Sequence, residues 1–104
     1  MSKKVAKKGQ IPTSKRWLFT WFNYPKEWRS TISPLLRKKG AYVIGEEVCP
    51  TTGRPHLQGY CEFKKRLRPF SLGLDRQIRW EKAKGTRLHN TTYCTKDGSY
   101  VSHG

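Results

Sequence analysis

Ala41-Tyr42-Val43-Ile44-Gly45-Glu46-Glu47-Val48 and His56-Leu57-Gln58-Gly59-Tyr60-Cys61-Glu62-Phe63 are two β-rich runs separated by Pro50-Thr51-Thr52-Gly53-Arg54-Pro55. Val, Ile, Tyr and Phe suit a pleated surface, and the Pro/Gly cluster between them suits a turn, so the pair reads as a β-hairpin. Residues two apart in a strand share a face. His56 and Gln58 therefore project together, while Leu57 turns the other way into the core.

Outward from the hairpin, Trp17-Leu18-Phe19-Thr20-Trp21-Phe22 is bounded by Asn23 and Pro25 and reads as a buried central strand. Residues 26–39 place Trp28, Ile32, Leu35 and Leu36 at helical spacing. Pro34 inside that stretch predicts either a kink or a restart with Ser33 as N-cap, and Gly40 closes the helix. A basic stretch over residues 64–68 leads into a short helix or turn at 69–74. Residues 76–82 alternate as a fourth strand, with Ile78 and Trp80 on one face. Thr86 caps a last helix that runs to about Lys96 and ends at Asp97-Gly98. The order βαββ(α)βα predicts an α+β fold, a central antiparallel sheet with its helices on one side.

The chain has 104 residues, 35% hydrophobic and 12% aromatic, which suits a single folded domain with one modest core. Twenty-two Lys and Arg oppose seven Asp and Glu, a net charge of +15. A surplus that large repels itself on compaction and points to a polyanionic partner, nucleic acid first. No apolar run approaches the ~20 residues of a membrane span. Residues 1–15 hold five Lys, no acid and no apolar stretch, so they read as a disordered basic arm rather than a secretory signal. The arm suits solubility, phosphate contact or nuclear import, and the folded domain is expected over residues 16–104. Three widely spaced Cys fit free thiols in a reducing compartment.

Glu46 and Glu47 lie across the hairpin from His56 and Gln58, and one of the two must share their face. A carboxylate, an imidazole nitrogen and an amide oxygen converging on one sheet surface suit Mg²⁺ or Mn²⁺ better than zinc. The plainer alternative is a solvated Glu pair beside a surface His. On the last helix Tyr93 and Lys96 are three apart and share a face among polar neighbours. A phenol is a weak nucleophile until a cation or metal favours its phenolate, and Lys96 is placed for that role or for a phosphate oxygen. No GxxxxGK[ST] loop is present. The spacings of Cys49, His56, Cys61, His89 and Cys94 match no zinc finger.

Three segments together resemble the N-terminal HUH endonuclease domain of replication initiator (Rep) proteins of circular single-stranded DNA viruses, circovirus type. Phe19-Thr20-Trp21-Phe22-Asn23-Tyr24 is similar to the FTLNN motif, with Trp21 in place of Leu and Phe22 in place of the first Asn. Pro55-His56-Leu57-Gln58-Gly59 is similar to the circovirus PHLQG motif, and Tyr93-Cys94-Thr95-Lys96 to YCxK. Gly45-Glu46-Glu47 and residues 80–86 also look like family segments. The resemblance implies a ferredoxin-like HUH fold, Tyr93 as nucleophile and Lys96 as its helper at the phosphate. It implies Glu47, His56 and Gln58 as ligands of Mg²⁺ or Mn²⁺, with Glu46 the alternative carboxylate.

The activity so implied is nicking and rejoining of single-stranded DNA at a stem-loop viral origin through a 5′-phosphotyrosine intermediate, starting rolling-circle replication. It further implies action in the host nucleus, no small-molecule cofactor, and a full-length protein that continues into a helicase domain. Arg16, Asn23, Lys64, Lys65, Arg66, Arg68, Arg76, Arg79, Lys82, Lys84 and Arg87 are the candidate DNA contacts, and Trp21, Tyr24 and Trp28 candidate stacking platforms. Two rival expectations remain: a non-catalytic basic binder of single-stranded nucleic acid, and a zinc-dependent interaction module.

Overall fold

The computed structural model describes residues 13–96 and 98–104. The arm expected over residues 1–15 lies outside the described residues for its first twelve positions, as does Asp97 at the expected helix stop. Ser14 and Lys15 belong to the first strand.

Strands β1 (Ser14–Phe22), β2 (Gly40–Val48), β3 (Pro55–Leu67), β4 (Arg79–Lys82) and β5 (Tyr100–His103) form one sheet in the order β4-β1-β3-β2-β5. Every neighbouring pair is antiparallel. The helices are α1 (Trp28–Lys39) and α2 (Arg87–Thr95), and a 3₁₀ turn spans Pro69–Leu72. The α+β class and the antiparallel sheet match the sequence expectation.

Four details differ from it. β5 was not expected: its four residues are too short to carry a period, and it forms only because the edge of β2 offers Tyr42 to Gly45 as ladder partners. β3 continues through the basic stretch to Leu67, because β1 pairs with it as far as Ser14 opposite Leu67. β4 is confined to Arg79–Lys82, since Asp75 draws the preceding residues into a turn, its carbonyl accepting from the Ile78 amide and its carboxylate from the Gln77 amide. α1 runs through Pro34 as one helix, so the restart with Ser33 as N-cap does not occur.

The helices lie on opposite faces rather than on one side. β1 and β2 both run antiparallel to β3, so they are parallel to each other and α1 is their crossover. β4 and β5 are likewise parallel to each other, run opposite to β1 and β2, and are joined by α2. Both crossovers move the same way along the sheet, so if both are right-handed, as such connections almost always are, their helices must fall on opposite faces. α1 buries Trp28, Ile32 and Leu36 against Trp17, Phe19, Trp21, Ile44 and Leu57, the main core. On the other face Cys94 of α2 packs on Val43 and Tyr60 in a smaller cluster. Strand alternation reports two faces per strand, and it cannot report which one a later helix will cover.

The thinner packing under α2 brings that helix close to the sheet. A Cβ at Gly45 would overlap the carbonyl oxygen of Cys94, so β2 passes directly beneath α2 only because residue 45 has no side chain. Thr86 caps α2 as expected, its hydroxyl accepting from the His89 amide at 3.0 Å. Asn90 is buried and its amide donates to the carbonyls of Lys84 and Thr86, tying the approach loop to the first turn.

Candidate active site

The β2–β3 register sets Glu47 opposite His56 and Gly45 opposite Gln58, while Glu46 stands opposite Leu57. Directly opposed residues of an antiparallel pair share a face. Glu47, His56 and Gln58 therefore lie together on the α2 face. Glu46 is turned to the other one, where it accepts from Ser99 Oγ at 2.9 Å and lies 3.7 Å from Arg29. β1 adds Phe22 opposite His56 and Thr20 opposite Gln58.

Each of these side chains is held. The Glu47 carboxylate is only 6% exposed; Oε2 accepts from Lys96 Nζ at 2.6 Å and Oε1 lies 3.4 Å from His56 Nε2. A buried carboxylate needs such partners to offset the hydration it loses. Gln58 accepts from Thr20 Oγ1 at 3.2 Å and donates to the Phe19 carbonyl at 3.1 Å, which fixes its amide. The Phe22 ring lies 5.0 Å from the His56 ring and carries the Arg54 guanidinium on its face at 4.6 Å. Phe22, which departs from the expected motif, thus backs the imidazole.

α2 brings Tyr93 and Lys96 to the same face. Tyr93 is 46% exposed, and the Lys96 ammonium sits 4.2 Å from its ring centroid. One cation therefore touches both the buried carboxylate and the phenol ring. Beside α2 runs a groove of about 680 Å³ whose lining includes Leu18, Thr20, Gln58, Glu81, Lys84, His89 and Tyr93. Tyr93 and Gln58 open into one space, large enough for a stretch of single strand.

The candidate DNA contacts separate into groups. Lys82 and Lys84 line the groove, and Arg79 stands opposite Thr20 on the site face. Lys64, Lys65, Arg66 and Arg68 lie at the far end of β3; Lys64 is six residues from Gln58, about 20 Å at the strand rise. Arg66 donates to the Thr13 carbonyl there. Arg16 donates to the Tyr60 hydroxyl at 2.8 Å and to the Gly85 carbonyl at 2.5 Å. Tyr60 donates in turn to Glu62 at 2.6 Å, and Arg87 binds the same carboxylate. Arg16 and Arg87 thus fasten the loop before α2 to the sheet. The Arg87 hydrogen bond holds the Glu62 carboxyl below its ordinary range, and burial pushes the Tyr60 phenol up. Asn23 is exposed with φ 58°, a left-handed conformation that Asn tolerates well, so its side-chain type also has a backbone reason. Arg76 is exposed in the turn before β4.

Trp21 and Trp28 are removed as stacking platforms, because both are buried in the main core, with Tyr24 edge-on to Trp28. The structure adds Thr20, His89 and Glu62 to the residues expected at the site. His89 could have been found, since it lies four residues before Tyr93 on α2 and so on the same helical face. Thr20 and Glu62 depend on pairing between distant strands.

All three cysteines are free. Among the described residues no three His, Cys, Asp or Glu side chains converge, and the Gln58 amide shares the face of Glu47 and His56. A hard divalent ion fits what is present. Glu47 Oε1 and His56 Nε2 are 3.4 Å apart, close to the roughly 3 Å edge of an octahedron with ~2.1 Å bonds. Gln58 Oε1 stands on the same face with one hydrogen-bond donor on it. His56 Nδ1 is buried without a hydrogen-bond partner, leaving the ring held by packing and by its contact with the carboxylate.

Comparison with known proteins gives the family. The family described as putative viral replication protein matches residues 14–97. The chain is 37% identical over 95 residues to the Replication-associated protein of Human associated cyclovirus 1, covering 88% of this chain and 34% of that protein. It is 44% identical over 91 residues to Para-Rep C2 of Milk vetch dwarf C2 alphasatellite, covering 81% and 31%. It is 36% identical over 103 residues to the Replication-associated protein of Porcine circovirus 2, covering 96% and 32%. The chain spans about a third of the length of these curated relatives. The match covers β1 through α2 and every residue of the site just described, and the chain belongs to the viral replication protein family.

Proposed function

We propose that this domain nicks and rejoins single-stranded DNA at a viral replication origin, using Tyr93 as nucleophile. The observation that carries the reading is the junction at Lys96, whose ammonium meets both the Glu47 carboxylate and the Tyr93 ring beside a groove shared with Gln58. Neither a plain binding module nor a hydrolase working through metal-bound water has need of a phenol there.

The groove takes the strand, with Lys84 and Arg79 on phosphates beside the scissile one. Glu47, His56 and Gln58 would hold a divalent ion, Mg²⁺ or Mn²⁺, which when bound supplies Lewis-acid stabilisation of phosphate charge. The Tyr93 oxygen attacks phosphorus in line. Its new P–O bond forms as the bond to the 3′ oxygen breaks, giving a 3′-hydroxyl and a 5′-phosphotyrosine. The phenol gives up its proton to water and the departing 3′ oxygen takes one from water, while Lys96 stabilises the phenolate and then the crowded phosphate. One phosphodiester is exchanged for another, so the reverse attack by a 3′-hydroxyl rejoins strands without a nucleotide triphosphate. The 3′-hydroxyl is also a primer for rolling-circle synthesis. The same reading places the protein in the host nucleus and joins this domain to a helicase in the full-length chain.

The test is a denaturing gel after incubation with a single-stranded origin oligonucleotide, with Mn²⁺ and with EDTA. A covalent adduct that needs Mn²⁺ and disappears in Tyr93→Phe, with binding unchanged, is the expected result. Binding in EDTA with no adduct under any metal would leave the non-catalytic binder instead.

A further inference from the structure

Lys96 occupies the C-cap of α2, one residue past the helix end. Its ammonium lies 2.6 Å from Glu47 Oε2, 3.5 Å from the Tyr93 carbonyl and 4.2 Å from the Tyr93 ring centroid. The other carboxylate oxygen faces His56 Nε2 at 3.4 Å. A divalent ion seated between that oxygen and the imidazole would stand about 5 Å from the ammonium, given metal–ligand bonds of ~2.1 Å. Two cations on one buried carboxylate repel. The double charge of the ion and the low dielectric around a side chain 6% exposed both strengthen that repulsion.

We propose that Lys96 and the divalent ion are alternative partners of Glu47. The inference rests on the metal-assisted reading above. Without metal, Lys96 neutralises the buried carboxylate and is held on the sheet. Metal entry takes over that charge and turns the ammonium out across the Tyr93 ring toward the groove, where a phosphate can meet it. The lysine stem is long enough for this swing, and α2 need not move. Metal loading and delivery of a positive charge to the nucleophile are then one event. By linkage, metal and a DNA phosphate bind with positive cooperativity, because each favours the position of Lys96 that the other needs.

The exchange is read without catalysis. Mn²⁺ binding to the whole chain, free of DNA, is measured by electron paramagnetic resonance for the wild type, Lys96→Met and Glu47→Gln. Lys96→Met should bind Mn²⁺ at least tenfold more tightly than wild type. Equal or weaker binding overturns the proposal, since the ammonium would then be orienting the carboxylate rather than competing for it. A second measurement needs no variant: amine acylation of the wild type, followed by peptide mass spectrometry, should modify Lys96 several-fold faster with Mn²⁺ than with EDTA. Lys64 and Lys65, far along β3, should not change. Unchanged acylation of Lys96 at saturating Mn²⁺ also overturns it. If Glu47→Gln binds Mn²⁺ as well as wild type does, the fault lies with the metal site itself, and the exchange falls with it.

Discussion

Gly45 of β2 and the backbone carbonyl of Cys94 in α2 are in direct contact, with no room for a methyl group between them. This contact sets the height of α2 above the sheet and thereby the position of Tyr93, one residue before Cys94. Gly59 is similarly tight, but its missing Cβ would meet the Phe19 ring, away from α2. Overpacking costs on the order of 1–3 kcal/mol. Both Gly45→Ala and Gly59→Ala should lower the urea midpoint. Only Gly45→Ala should also cut single-turnover adduct formation at saturating DNA by about tenfold or more, because a 1 Å displacement of a reacting group can cost 10²-fold.

Glu62 should govern part of the acid sensitivity of the fold. Its carboxyl titrates below the ordinary range, chiefly through the Arg87 hydrogen bond. A depressed folded-state value contributes stability above the unfolded-state value, and that contribution is lost as pH falls through the folded-state one. Urea midpoints of wild type and Glu62→Gln should therefore differ at pH 7 and converge below the normal glutamate range. The difference is modest, since Arg87 is largely exposed. A gap that widens as pH falls would contradict the assignment.

The basic residues should divide by function according to their distance from the groove. Replacing Lys64 and Lys65 together by Ala should weaken origin binding and reduce the salt slope by about 1.4, at ~0.7 per single-strand phosphate contact. The adduct rate constant at saturating DNA should stay as it was. Lys84→Ala or Arg79→Ala should lower that rate constant as well, because Lys84 lines the groove that Tyr93 opens into and Arg79 stands opposite Thr20 at its side. Filter binding across a salt series with parallel single-turnover assays separates the two classes.

Cys49 should be the reactive thiol of the domain. Hydrogen bonds from Thr51 and Thr52 lower its pKa to about 6, whereas burial pushes Cys94 up to about 12 and Cys61 higher still. Iodoacetamide at pH 7 should label Cys49 alone, at a rate that falls as pH drops below about 6. Labelling of Cys61 and Cys94 should wait for unfolding, which peptide mass spectrometry reads directly.

Much of the site is legible in the linear chain because strand alternation is a local rule. The pairing of His56 with Gln58 on one face, the cap at Thr86 and the shared face of Tyr93 and Lys96 all follow from residues within four positions of one another. Glu46 and Glu47 show where that reasoning stops. Adjacent strand residues must point to opposite faces, but the partner strand's register decides which one meets His56. The same limit explains Arg16 and Arg87, which read only as candidate DNA contacts until Tyr60 and Glu62 are placed beside them.

Local chemistry, then, was enough for the α+β class, for both helices and for the first four strands in outline, since periodicity, turns and caps act over a few residues. Long-range contact settled the rest: helices on opposite faces, a fifth strand at the β2 edge, and one lysine joining a buried carboxylate to a phenol. The lysine and the carboxylate alone are 49 residues apart in the chain. These relationships exist because crossover handedness, strand register and the bare backbone at Gly45 bring distant segments together, and no window of neighbouring residues contains that information.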